Sequence, residues 1–417
     1  MKADTIITNI GTLISLAGND KPRCGKEMES ISPVHDAALA IKDGLILALG
    51  SSTDILNRFS CTDILDAKGG TVLPGFVDCH THPIFVHTRE DEFALRIAGK
   101  SYVEIAQAGG GIRSTIASTR DASEELLFQL AAQRIKKMIS QGTTTLEAKS
   151  GYGLDTKSEL KQLRVIKRLS EELPIDIIPT FMGAHEYPVE YKTDHERYLE
   201  ILCEEMIPAV AEQGIAEFCD IFTEAHVYSI EESRRILQCA KDHGLKLKMH
   251  ADEIEPIGGA ELAAELGCVS ADHLGTTGDQ GIAALQRAGV IPVLLPATLF
   301  SLRAKSYARA LPMIQQGLPV AIATDYNPGS CNCDSMPFTM TLACLQMGMS
   351  PAAALNAATI NAAHAISRGA VLGTLEAGKQ ADLCIWDIPS LNFIPYHFGS
   401  SHLCRVIKKG KCIYSAG

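Results

Sequence analysis

The chain has 417 residues, with 38 basic against 49 acidic side chains and a formal net charge of −11. That balance argues against nucleic acid or an anionic membrane as the main partner, and no uninterrupted apolar run reaches the ~18 residues of a spanning helix. The start, Met1-Lys2-Ala3-Asp4, lacks the apolar core of a secretion signal, so the thirteen scattered cysteines are expected as reduced thiols of a cytoplasmic protein.

In chain order, residues 4–10 and 37–49 carry short apolar or alternating segments, separated by a polar stretch with Gly18, Pro22 and Pro33. Asp43-Gly44 marks a hairpin turn, and a short strand at 63–66 runs into Lys68-Gly69-Gly70. From residue 72 the pattern becomes strand, loop, amphipathic helix, repeated. Strands are predicted at 72–79, 143–149, 175–182, 217–222, 245–250, 268–273, 290–295 and 319–325, with helices between them such as 122–140 and 157–172. Eight such repeats predict an α/β fold, a (β/α)8 TIM-like barrel over residues 71–369. The competing doubly wound sheet lacks a glycine-rich dinucleotide fingerprint after its first strand. After a helix at 351–367, Gly373-Thr374-Leu375 and residues 381–386 read as paired strands, and residues 403–414 add another pair around Lys409-Gly410. Neither β terminus is long enough for a core of its own. Residues 1–70 and 370–417 are therefore expected to combine into one small β-sandwich domain beside the barrel.

In such a barrel, chemistry sits where the strands end. His80 and His82, two apart on the first strand, point to the same side. His185 follows the third strand, His250 ends the fifth, His273 the sixth and Asp325 the eighth. His80, His82, His250 and Asp325 form a set of three nitrogens and one oxygen suited to Zn²⁺ or iron, with a position left for water. Such a metal brings the pKa of its water from ~15.7 to about 7. Asp325 can take a proton from that water, and Glu253 can shuttle one. His273 is placed to hydrogen-bond a carbonyl oxygen as it gains negative charge.

Plainer readings stand beside these. His185 or His273 alone could be core histidines bonded to backbone, Asp325 could start the turn that follows it, and Asp78 suits support or packing. Cys331 and Cys333 have no second pair to complete a metal site. Lys149, ending the second strand, is expected at the surface or against substrate rather than as a carbamylated metal bridge. His35, His87, His195, His226, His243, His364, His397 and His402 are read as structural or solvated.

The stretches VLPGFVDCHTHP, ATINAAHAI and GTLEAGKQADLCIWD resemble the metal-dependent amidohydrolase superfamily, with similarity across essentially the whole chain. Within it, HPIFVHTREDEFALRIAGKSYVEI, GGGIRSTIASTR, EAKSGYGLD, FMGAHEYP, HADEIEPIGGAELAAELG and ATDYNPGS resemble the imidazolonepropionase family. The resemblance implies a cytoplasmic homodimer that uses one Zn²⁺ or Fe ion per subunit. Its reaction is hydrolysis of 4-imidazolone-5-propanoate to N-formimino-L-glutamate in histidine breakdown. It implies metal ligands at His80, His82, His250 and Asp325, and a catalytic histidine at His273. Substrate contacts are implied at Arg89, Tyr152, His185 and Glu253, with Asn327, Gly329 and Ser330 in the last loop. Ser330 stands where threonine is expected in many relatives, and either hydroxyl can donate one hydrogen bond. Arg89 offers a fork for the propanoate arm, its plainer role being an ion pair with Glu90 or Asp91. Gly109-Gly110-Gly111 reads as a lid or a backbone-lined wall. Two other readings stay open: a cytosine- or guanine-type deaminase of the same superfamily, for which a guanidinium clamp would have no use, and a non-catalytic barrel scaffold.

Overall fold

The computed structural model describes residues 1–100 and 110–416, and in it the run at 72–79 is two strands rather than one. The amino-terminal strands are β1 (Thr5–Ile14), β2 (Pro33–Lys42), β3 (Leu45–Ser51), β4 (Asp63–Asp66) and β5 (Thr71–Pro74); β6 (Phe76–Asp78) already belongs to a second sheet. Gly75 is the joint. Its N–H donates to Asp382 O at 3.0 Å, and an added Cβ would stand 2.3 Å from the Thr144 side chain. Only a residue without a side chain fits at that contact.

The second sheet continues through β7 (Thr143–Lys149), β8 (Asp176–Ala184), β9 (Phe218–Thr223), β10 (Lys246–Ala251), β11 (Ser270–His273), β12 (Ile291–Leu294) and β13 (Ala321–Ile322). Its strands lie side by side in chain order and run parallel throughout. The gap between β13 and β6 is bridged just beyond the strands. There His82 N–H donates to Tyr326 O at 2.8 Å and Asp325 N–H to His80 O at 3.1 Å. The Asp78 carboxylate adds bonds from the Thr324 N–H and hydroxyl. The expected barrel is therefore present, and residues proposed as metal ligands help to shut it.

The remaining strands, β14 (Leu383–Trp386), β15 (Leu403–Lys408) and β16 (Lys411–Ser415), join β1–β5 in one mixed sheet. The two termini meet where β5 and β14 pair antiparallel, with Pro74 opposite Leu383 and Thr71 opposite Trp386. This sheet has its own core, including Ile7, Leu13, Leu39, Val72, Leu383 and Ile407. The expected pairing of residues 373–375 with 381–386 does not occur. Leu375 N–H instead donates to Ser15 O, and β14 takes β5 and β15 as neighbours. Burial of Leu383 and Ile385 beside distant strands outweighs the local turn signal. The helix expected at 351–367 is present but broken by a π turn at Ala357–Asn361. All thirteen cysteines are free thiols, and no helix among the described residues is long and apolar enough to cross a membrane.

Barrel and mixed sheet are tied by one buried ammonium group. Lys408 Nζ lies 2.7 Å from Asp382 Oδ2, 2.8 Å from Asp176 Oδ2 and 3.2 Å from Thr145 Oγ1. Burial would raise the Asp176 carboxyl, but Lys408 and Lys409 outweigh it and hold it at about 2. Lys408→Met, which leaves Asp382 without its cation and Asp176 with Lys409 alone, should lower unfolding free energy by about 3 kcal/mol in a denaturant titration at pH 7. Because the folded carboxyl titrates below its unfolded value of about 3.9, the Asp176 contribution is complete above that value. It is lost as the pH falls towards 2, so the difference between the two proteins should shrink over that interval. A difference that ignores pH would show that Asp176 plays no part.

Candidate metal centre

Strand alternation carries Asp78, His80 and His82 to the same side of the first barrel stave, while Val77 and Cys79 pack with Ala362, Ala363 and Ala365. His80 Nδ1 is bonded to Asp272 Oδ2 at 2.6 Å, which turns Nε2 towards the other candidate ligands. His82 Nε2 stands 3.3 Å from His80 Nε2, and His250 Nε2 stands 3.4 Å from His82 Nε2. Asp325 Oδ1 is 3.6 Å from both His80 Nε2 and His82 Nε2. Burial holds His80 and His82 well below the usual histidine range, so both rings are neutral and have lone pairs to give. Four donors bound tetrahedrally at about 2.0–2.1 Å would stand about 3.3–3.4 Å apart. The His80–His82 and His82–His250 spacings match and Asp325 stands slightly wider, so the residues fit a transition-metal ion; His80, His250 and His273 form a further close group.

Three of the four donors are aimed by partners that the sequence reading had given no role, while His82 Nδ1 has no hydrogen-bond partner among the described residues. Asp272 fixes His80, and Asp220 Oδ2 lies 3.2 Å from His250 Nδ1. Thr298, on the short helix Pro296–Ser301, donates to Asp325 Oδ2 at 2.6 Å and leaves Oδ1 towards the histidines. The available signal was an acid inside an apolar strand, as in Phe218-Cys219-Asp220-Ile221. Thr298 had none.

Lys149 is neither on the surface nor against substrate. It is fully buried, with Nζ 2.6 Å from Asp220 Oδ2 and 2.8 Å from Glu147 Oε2. Lys248 Nζ lies 3.0 Å from Glu147 Oε2 and 3.4 Å from Asp272 Oδ2. Burial would lift the Asp220 carboxyl, but Lys149 and His250 hold it well below the usual range. His80, Glu147 and Asp272 also approach closely enough to hold an ion, yet the Lys248 ammonium already lies against both acids there.

A cavity of about 440 Å³ opens above these residues. His185 lines it with Nδ1 bonded to Gly151 O at 2.9 Å, and burial, with His250 beside it, puts this ring at about 3, hence neutral. Gly151 has φ of +101°, and an added Cβ would press on Met182 O and on His185 itself. The buried Glu159 carboxylate gathers the N–H groups of Gly151, Gly153 and Leu154 and so fixes Tyr152 against His185, ring centroids 5.2 Å apart. Glu253 Oε2 lies 3.5 Å from His273 Nδ1. Burial, reinforced by Asp325 and Glu224, pushes Glu253 up to about 8. Asp252, His273, Leu274 and Asp325 all have left-handed backbones, φ +50° to +75°. At His273 this breaks the alternation that would turn the ring away from the cavity. Such strain, of order 1–3 kcal/mol per residue, collects at functional sites.

Arg89 lines the cavity and pairs with Glu92, not with Glu90 or Asp91, through bonds of 2.7 and 2.9 Å. Its guanidinium lies against Gly329, where an added Cβ would be 2.4 Å from Nη1. The Asn327 side chain is spent on its own loop: Oδ1 accepts from the Gly329 and Ser330 N–H groups, and Nδ2 donates to Asp325 O and Ser330 Oγ. Gly111 N–H donates to Glu92 Oε1 at 2.7 Å, while Gly109 lies outside the described residues. Arg96, Phe222 and His226 also line the cavity, and none of them was singled out from the sequence as a site residue.

A parallel barrel with three imidazoles and a carboxylate converging at its strand ends defines a metal-dependent hydrolase. The amidohydrolase family model matches residues 71–413, and an adenosine deaminase from Xanthomonas campestris, solved with bound Zn, shares the fold. That structure has a TM-score of 0.73 at 18% identity, covering 99% of this chain and 93% of its own. The chain belongs to the amidohydrolase family. Proteins named imidazolonepropionase from Alkaliphilus metalliredigens and Symbiobacterium thermophilum are 46% and 48% identical to it. They cover 100% and 99% of this chain, and 99% and 98% of their own lengths. Its place in the family is therefore among the imidazolonepropionases.

Asp272→Asn should keep the shape of the site while weakening the hold on His80. We expect metal affinity, measured by competition with a chromogenic chelator, to fall about 10–100-fold. Unchanged affinity would show that the 2.6 Å bond does not orient a ligand.

Proposed function

We propose that this protein hydrolyses the ring C–N bond of 4-imidazolone-5-propanoate to give N-formimino-L-glutamate, a step of histidine degradation. The observation that carries this reading is one cavity with His82, His250 and Asp325 at its floor, His80 directly behind them, and the Arg89 guanidinium on its wall. The ligands would be His80, His82, His250 and Asp325, holding one Zn²⁺ or iron ion per subunit in a cytoplasmic homodimer. Residues 1–70 with 370–417 form the smaller domain of this scheme, and 71–369 the catalytic one.

The bound ion supplies Lewis acidity, making hydroxide available near neutral pH. The chain's own residues do the rest. Arg89 takes the propanoate carboxylate, and Tyr152 and the neutral His185 flank the ring. Asp325 takes the proton released as water becomes hydroxide; the hydroxide adds to the ring carbonyl carbon, and negative charge moves to the carbonyl oxygen. Glu253, protonated because burial lifts it, can donate to His273 Nδ1, which leaves His273 Nε2–H to stabilise that oxygen. Among the described residues no group bonds His273 Nε2, which leaves it for this task. As the C–N bond breaks, Glu253 gives its proton to the leaving nitrogen. A carboxylate and a formimino group result.

The direct test is to follow ultraviolet loss of imidazolone propanoate with metal-replete protein. Turnover is expected, whereas ammonia release from cytosine or guanine without it would favour the deaminase reading. Arg89→Ala should raise KM about 10–100-fold and lower kcat much less; an unchanged KM would remove the clamp. His273→Ala should lower kcat about 10²–10³-fold with metal content retained. Loss of metal would make His273 a ligand instead.

A further inference from the structure

Arg89, Glu92 and Arg96 occupy one edge of the cavity, brought there by the helix Glu90–Ile97. Arg96 follows Glu92 by four residues, a spacing that favours a helical ion pair. Glu92 is nevertheless taken by Arg89, at 2.7 Å, and by the Gly111 N–H. Arg96 forms no ion pair among the described residues. Its Nη2 donates to Gly329 O at 3.2 Å, while its Nε is buried without a hydrogen-bond partner. The loop after β13 is thus gripped from two sides, with Arg89 against the Gly329 Cα and Arg96 on its carbonyl. Among the described residues, two guanidinium groups thus share one carboxylate at this edge.

We infer that Arg96 is a second specificity-determining residue for the anionic arm of the substrate, supplying the charge that Glu92 cancels on Arg89. A buried N–H without a partner is unfavourable, and an incoming carboxylate completes it. Burial and the adjacent Arg89 both work against the charge on Arg96, a cost that the same carboxylate relieves. A substrate with a neutral arm leaves the guanidinium unpaired and is disfavoured for that reason. Arg89 then serves mainly as an oriented fork, and Arg96 as the source of net charge. The inference rests on the proposed function and deepens it.

The rival role is purely structural, with Arg96 holding the Gly329 loop in place. Steady-state kinetics on the metal-loaded full chain separate the two, with 4-imidazolone-5-propanoate and its propanamide as substrates. For Arg96→Met, kcat/KM for the propanoate should fall about 10–100-fold, mostly through KM. The preference for propanoate over propanamide should collapse by a similar factor. Arg96→Lys, which keeps the charge but loses the planar fork, should recover part of that preference. Equal losses on both substrates would overturn the inference in favour of loop positioning, as would no loss on either. If Arg96→Met does not fold, Arg96→Gln, which also removes the charge but keeps a donor for Gly329 O, takes its place. An unaltered preference together with equal damage on both substrates counts against the charge role. Wild-type protein that turns over neither compound would instead contradict the proposed function, an outcome distinct from either result for Arg96.

Discussion

Charge confined within the barrel is the constraint on which the rest depends. The interior of a barrel of this kind is ordinarily filled by branched apolar side chains, but here Glu147, Lys149, Asp220, Lys248 and Asp272 are all fully buried. They survive because each ammonium touches two carboxylates at 2.6–3.4 Å. Counting Asp325 as well, two lysines face four acids. Asp78 is buried beside them as well, so the barrel interior is acidic at the place where three imidazoles and a carboxylate converge.

Orientation follows from the same network. A histidine that ligates a metal usually gives its other nitrogen to a carboxylate or a carbonyl. Asp272 serves His80 in this way, and it is steadied in turn by Ser270 Oγ at 2.6 Å and by Lys248. Asp220 stands behind His250 and is held by Lys149. Above this layer the loops are built on buried acids acting as hubs. Glu159 holds the Tyr152 turn, Glu224 accepts the N–H groups of Ile254 and Glu255 beside Glu253, and Asp252 those of Gly258, Gly259 and Ala260. The cavity wall is therefore pre-set by hydrogen bonds made within the protein, which is how strained backbones at His273 and Asp325 persist.

Much of this was legible in the sequence because its signals are local. Eight apolar segments at barrel spacing, five of them running into histidine or aspartate, placed the strands and the convergent ligands. What stayed hidden depends on distant partners. Gly75 splits the first strand because Thr144, far along the chain, crowds it, and β14 leaves its local turn partner for β5. Lys149 reads as a surface lysine until Asp220 and Glu147 are seen around it. Thr298 and Arg96 carry no motif, and only their contacts with Asp325 and Gly329 show what they touch.

The central claim is that one cation is held by His80, His82, His250 and Asp325. It is tested most directly by an anomalous difference map from crystals of metal-replete protein, recorded at the absorption edge of the ion found by elemental analysis. The account predicts one strong peak per chain, about 2.0–2.2 Å from the three Nε2 atoms and Asp325 Oδ1. A peak between Glu147 and Asp272, or none near the four residues in protein that hydrolyses its substrate, would contradict it.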